Sequence, residues 1–239
     1  MKVASVIFSY KDPVRVMRCY GELLRAKQKS VQHTIIILDN SPSSMCPQTP
    51  DTIWLGDQNV GHGGMIDFAV GLEHYDFVGM LNCDTWGYGP DFLQQMFSGF
   101  ILLHPGMVSP AIVAGSCWPC MAPQAMDHHM LPVRRSNFIE TIAPYYSLAL
   151  LRKMRELKPF EQYGYVDRAL SVFSRRNGFK NYIVNNARIY HDAGAGMAPP
   201  ARTDLQTNWQ RSLQAWLERF PDLRDTYDMW PDEINALGE

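Results

Sequence analysis

Four short polar clusters in the chain are of types that could do chemistry: Ser9-Tyr10-Lys11, Asp39-Asn40-Ser41, Asn59-Val60-Gly61-His62-Gly63-Gly64 and Asn82-Cys83-Asp84-Thr85. Asp84 offers a hard carboxylate that, with an open coordination sphere, would hold Mg²⁺ or Mn²⁺ against a substrate diphosphate. The glycine-rich cluster would let a backbone approach a ligand closely, and a helix starting there would favour an anion. It has neither the Lys-Ser/Thr of a P-loop nor the spacing of a dinucleotide-binding turn. Taken singly, each cluster also reads as a turn: Asp39-Asn40-Ser41-Pro42 is a good one, and the glycines could merely permit positive φ. Turn formation alone does not account for the set.

The segments before these clusters explain the recurrence. Val3 to Ser9, Thr34 to Leu38, Thr52 to Leu55 and Phe77 to Leu81 are short apolar runs that read as buried strands. Asp12-Pro13 marks a helix start, followed by Val14, Met17, Leu23 and Leu24 at roughly helical spacing, and Met65 to His74 reads as a second helix. Strands alternating with helices imply a mostly parallel α/β sheet, and such sheets bind ligands at the carboxyl ends of their strands. Each polar cluster stands at such an end.

Composition narrows the class. The chain has 239 residues, 46% apolar, with 22 basic and 24 acidic side chains giving a formal charge of -2. That argues against a disordered chain or a nucleic-acid coat. From Phe92 to Met126 there is no Asp, Glu, Lys or Arg, yet prolines and glutamines interrupt the stretch and its run Phe100 to Leu103 is far too short to span a bilayer. The first residues turn polar at Ser9 too soon for a signal peptide, and an odd number of cysteines, 5, fits a reducing compartment, so a cytoplasmic protein is expected. Cys117-Trp-Pro-Cys120 has the spacing of a redox dithiol, but its position among glycine and prolines reads as a loop.

The order of motifs resembles family 2 glycosyltransferases of the GT-A fold. The resemblance rests on Val-Ile-Phe-Ser-Tyr at 6 to 10, Ile-Leu-Asp-Asn-Ser at 37 to 41, Asn59-x-Gly61 with Gly63-Gly64, and Leu-Asn-Cys-Asp-Thr-Trp at 81 to 86 followed by Pro90-Asp91-Phe92-Leu93. The resemblance implies a nucleotide-sugar donor carrying UDP or dTDP. Asp84 would be the metal carboxylate, with Asn82 beside it in a known variant of the fuller motif. Asp39 would accept from the N3–H of the base, Ser9 and Tyr10 would line the base pocket with Asn40 and Gly61 nearby, and Asn59 and Asp67 would lie near ribose and diphosphate.

The second half extends the resemblance to about residue 195. Phe160 to Gly178 resembles the segment with the catalytic acid pair, which here reads Val166-Asp167, making Asp167 the general base and leaving Val166 where the family has a supporting acid. Asp192 and Glu161 are the fallback bases. His191 in Ile189-Tyr190-His191 resembles the late histidine that completes the metal site or touches the donor diphosphate. Tyr146-Ser147 fits the acceptor-recognising strand and helix start. Trp118 and Arg134, in or beside the loop from 114 to 137, could also meet an acceptor. The implied reaction is an inverting displacement, assisted by Mn²⁺ or Mg²⁺, onto a hydroxyl of a saccharide, protein or modified nucleic acid.

The expected organisation is a GT-A domain over residues 1–195, with a donor half at 1–95 and an acceptor half at 96–195, then a helical extension at 196–239. In the extension, Leu205, Trp209, Leu213, Trp216, Leu217 and Phe220 form one apolar face, which reads as core or as a homodimer contact. Two alternatives stay open. One is a catalytically inactive sugar- or nucleotide-binding module; the other is a nucleotidyltransferase, for which only Lys11 offers a basic group in the first loop.

Overall fold

The computed structural model describes residues 1–26, 30–41, 43–56, 60–98, 105–113, 132–157, 166–192, 214–215 and 217–218. The chain alternates strand and helix at first: β1 (Lys2–Ser9), α1 (Pro13–Arg25), β2 (Gln32–Asp39), β3 (Thr52–Trp54), α2 (Gly61–Val70) and β4 (Phe77–Asn82). There follow β5 (Thr85–Trp86), α3 (Phe92–Phe97), β6 (Pro105–Ile112), β7 (Val133–Ser136), β8 (Tyr145–Ser147), α4 (Leu148–Met154), α5 (Val166–Arg176) and β9 (Lys180–His191).

These strands form one sheet in the order β3-β2-β1-β4-β8-β6-β9-β5, with β7 also on β9. The first half, β3-β2-β1-β4, is parallel throughout. In the second half β8 runs antiparallel between β4 and β6, while β6 and β9 are parallel. The alternation of β1 explains the layering. Ala4, Val6 and Phe8 face a core shared with α2, α4 and α5, whereas Val3 and Ile7 face a second core shared with α1 and α3. A sheet covered on both faces must be apolar on both, as these unbroken runs are.

The charge-free stretch is mostly buried where it is described, with Gln94, Gln95 and Ser98 exposed. All eight residues of β6 are buried, and α3 buries Phe92, Leu93, Met96 and Phe97. The apolar face of α1 is Val16, Cys19 and Leu23, while Val14 is 78% exposed and Leu24 46% exposed, so the helix sits rotated from the face expected. The second helix starts at Gly61 rather than Met65, because the side chain of Asn40 accepts from Val60 N at 3.0 Å and docks that turn against the end of β2. It ends at Val70 with Gly71 as its cap. Ser147 caps α4, its Oγ accepting from Leu150 N at 3.3 Å.

Of the C-terminal extension, Gln214, Ala215, Leu217 and Glu218 are described; they are helical, and Leu217 packs on the core under α2, α4 and α5. That contact takes one residue of the expected apolar face as core. The rest of the extension, with the proposed dimer contact, lies outside the described residues.

Candidate active site

Asp84 follows the end of β4, and β9 delivers His191 to it from the other half of the sheet. The delivery depends on an irregularity: β9 pairs with β6 as far as Val184 and resumes at Arg188 after a register shift, then pairs with β5, setting His191 opposite Thr85. His191 Nε2 lies 3.4 Å from Asp84 Oδ1, and that oxygen is buried without a hydrogen-bond partner among the described residues. An imidazole and a carboxylate are a donor set that suits Mn²⁺. At 3.4 Å the two side chains are close enough that both would hold one divalent ion. Among the described residues no further His, Cys, Asp or Glu joins them in a group of three or more.

The loop carrying Asp84 is pinned from α1 by residues at helical spacing. Arg15 bonds Asp12 at 2.8 Å and Asp192 at 3.0 Å, and Asp192 N donates to the Asp84 carbonyl at 3.0 Å. Partial burial works against the Arg15 charge, but the carboxylates of Asp12, Asp192 and Asp84 outweigh it and raise its pKa. One turn on, the Arg18 guanidinium lies 4.4 Å over the Trp86 ring. One further turn on, Glu22 Oε2 accepts from Gly87 N at 2.6 Å and Tyr88 N at 3.0 Å. Gly87 sits at φ +90, which favours glycine. Asp192, a fallback base, is thus engaged in an ion pair.

At the ends of β1 and β2, Ser9 and Asp39 are partners in register and both fully buried. Asp39 Oδ1 accepts from Ser41 N at 3.0 Å and Oδ2 from Cys46 N at 2.9 Å. Cys46 Sγ donates to Ser9 Oγ at 3.2 Å. The carboxylate therefore organises the loop after β2, and each oxygen retains one lone pair. Tyr10 is 41% exposed beside it, with Lys11 Nζ 5.0 Å over its ring. Lys11, Ser43 and Ser44 all have positive φ, strain concentrated in the loops at these strand ends.

A third group faces Asp84 and His191 from α2, α5 and β8. Asp167 lies in the first turn of α5 and acts electrostatically on both His62 and Tyr146. His62 also interacts with the Asn82 side chain and with Asp84; burial lowers its pKa despite these neighbours, so its imidazole is neutral at pH 7. Burial, reinforced by Asp167, pushes the Tyr146 phenol well up, and its buried Oη has no hydrogen-bond partner among the described residues. The structure thus joins Asp84, Asn82, His191, Asp167 and Tyr146. It adds His62, which in the sequence reads as part of a glycine-rich turn although its place after β3 marks it as a strand-end residue.

The remaining candidates are more scattered. Asp67 is partly buried on α2, and Gly61 is the buried, positive-φ first residue of that helix. Arg134 on β7 reaches Asn185 Oδ1 at 3.4 Å, beside the irregular part of β9. Asn59, Trp118, Glu161 and the Cys117-Cys120 pair lie outside the described residues.

No family model matches the chain, and no curated protein sequence does. Solved structures do. GalNAc-T7 in complex with UDP, GalNAc and Mn²⁺ superimposes with a TM-score of 0.65 at 10% identity, covering 93% of this chain and 52% of that one. A Pyrobaculum calidifontis mannosyltransferase in complex with GDP-Man and Mn²⁺ gives 0.59 at 10% identity, covering 89% and 64%. TarS from S. aureus gives 0.58 at 12% identity, covering 89% and 43%. The chain thus spans between about two fifths and two thirds of the length of these proteins, which share its fold. The fold is GT-A, as the motif order implied.

Proposed function

We propose that this protein is a metal-dependent, inverting glycosyltransferase of the family 2 type, taking a sugar from a UDP or dTDP donor to an acceptor hydroxyl. The observation that carries the reading is the meeting of Asp84 and His191, 3.4 Å apart at the carboxyl edge of the sheet. Solved structures of the same fold that contain nucleotides or nucleotide sugars with Mn²⁺ support it.

When bound by Asp84 and His191, Mn²⁺ or Mg²⁺ supplies positive charge against the leaving diphosphate. Asp39 presents its remaining lone pairs to the imide N3–H of uracil or thymine, and Ser9, Tyr10 and the loop from Asn40 to Cys46 wall the base. Asp167 takes the proton of the acceptor hydroxyl, which then attacks the anomeric carbon on the face opposite the leaving group, inverting its configuration. The same Asp167 stands near the unpartnered Tyr146 Oη, which can donate to an acceptor oxygen. His62, neutral and close to both carboxylates, donates or accepts without adding charge. Val166, where a supporting acid was expected, is the feature that would favour a non-catalytic binding module instead.

The test is a thermal-shift panel of UDP-, dTDP- and GDP-sugars with Mn²⁺, followed by donor hydrolysis and NMR of the product's anomeric configuration. A UDP- or dTDP-sugar should stabilise the protein and be hydrolysed by wild type but not by Asp84→Asn. Binding without turnover would favour the module; preference for a guanine nucleotide would contradict the role of Asp39.

A further inference from the structure

Beyond Asp84 and His191, the final stretch of β9 exposes alternate side chains among the described residues. Asn186, Arg188 and Tyr190 alternate with buried neighbours and face outward, about 7 Å between successive residues of one face. A cleft of about 460 Å³ opens along this row, lined by Gly87, Gly89, Phe92, Gln95, Asn186 and Arg188. Its glycines are spatially meaningful. A Cβ on Gly87 would meet the Tyr190 ring at 2.9 Å, so that ring rests on bare backbone, while a Cβ on Gly89 would meet nothing within 4 Å. Tyr190 stacks on Trp86 with centroids 5.4 Å apart and planes 14° apart, and the Arg18 guanidinium covers the Trp86 ring. The outermost aromatic, Tyr190, is 44% exposed.

We infer that this cleft is a saccharide-binding subsite for the acceptor. The inference rests on the glycosyltransferase reading for its role, though not for its chemistry. Sugar rings present an apolar C–H face and a rim of hydroxyls. The cleft and its rim match both, with the Tyr190 ring, which flanks the cleft against Gly87, for the face and the amides of Gln95 and Asn186 and the guanidinium of Arg188 in the lining for hydroxyl oxygens. Gly89, with open space where a Cβ would stand, leaves room in the cleft for a ring to enter. The cleft begins three residues after Asp84, and β5 is the edge strand of the sheet. Three residues span at most about 10 Å, so a saccharide of two or three units could round that edge to the metal side.

The experiment is saturation-transfer NMR of the full chain, without donor, against neutral oligosaccharides of two to six residues built from glucose, galactose, mannose and N-acetylhexosamines. At least one series should bind wild type. Tyr190→Ala and Arg188→Ala should each weaken that binding at least tenfold, while Tyr190→Phe, which keeps the stack, retains it; melting temperatures of all variants control for folding. No binding by wild type at 10 mM sugar, or equal binding by Tyr190→Ala, overturns the subsite. Donor hydrolysis is read separately. Tyr190-dependent sugar binding without donor turnover would sustain the cleft and defeat the enzyme reading, and turnover with Tyr190-independent sugar binding would do the reverse.

Discussion

Glu22→Ala tests whether α1 holds the metal loop in place. The carboxylate accepts two backbone hydrogen bonds from one oxygen, at 2.6 and 3.0 Å, and Tyr88, which supplies the longer one, is 3% exposed. Hydrogen bonds to a charged group contribute about 1.5–3 kcal/mol each, and water entering the partly exposed side recovers some of that, so a net loss of about 2–4 kcal/mol is expected. At roughly 2–4 °C per kcal/mol for a chain of this size, the melting temperature should fall by several degrees to somewhat over ten. A more specific consequence concerns the metal. If even about 1.4 kcal/mol of the loss comes from disorder of the loop that presents Asp84, the dissociation constant for Mn²⁺ rises about tenfold. Glu22→Gln keeps an acceptor oxygen and should recover part of both effects. Calorimetric titration with Mn²⁺ at 25 °C, well below the melting range, separates metal affinity from global unfolding. Unchanged Mn²⁺ affinity in Glu22→Ala would refute the positioning argument even if the protein were destabilised.

Asp167→Asn should abolish transfer while leaving donor affinity, read by calorimetry, within about threefold of wild type; near-normal turnover would remove Asp167 as the base. Arg15→Gln strips the cation from between Asp12 and Asp192, so the negatively charged diphosphate donor should bind more weakly in calorimetric titration, and unchanged donor affinity would remove Arg15 from the site. Gly79→Ala would drive a methyl into the fully buried Tyr145 ring, whose hydroxyl bonds Ser5 at 2.8 Å, and should cost about 1–3 kcal/mol in denaturant unfolding. Burial pulls His33 down to about 4, so the unfolded chain binds a proton that the folded one refuses, and stability should fall as pH drops from about 6.5 toward 4. His33→Gln should flatten that part of the unfolding-against-pH curve.

The parallel half of the sheet was legible because its physics is local. Runs such as Val3 to Ser9 and Thr34 to Leu38 must be buried strands, and a turn of polar residues after each must stand at one sheet edge. Asp12 announced its helix for the same reason, satisfying a backbone N–H of its own first turn, whereas the helix start at Ser147 came from the family resemblance. The partners of those edges were not legible. Arg15, Arg18 and Glu22 are three polar residues on one side of a helix, a pattern indistinguishable in sequence from a solvated face. His62 is hidden among glycines whose backbone freedom was the louder signal. The register shift in β9 is a tertiary event: nothing in Asn185 to Ala187 announces that the strand will leave β6 and resume its pairing to end against β5. Likewise the apolar pattern of α1 could be fitted by more than one face, and only contact with the sheet selects Val16 and Cys19 over Val14.

Arg15 and Asp192 are 177 residues apart in the chain, yet their ion pair lies against the carboxylate that begins the metal loop. During synthesis the parallel half can assemble as soon as β4 has emerged, with Asp12 and Asp84 already near one another. The loop after β4 meanwhile lacks the backbone bond from Asp192 and the imidazole of His191 until the final strand arrives. This long-range pairing therefore completes the loop around Asp84, and under the proposed function competence for metal would be acquired in the slow, non-local stage of folding rather than with the core that surrounds it.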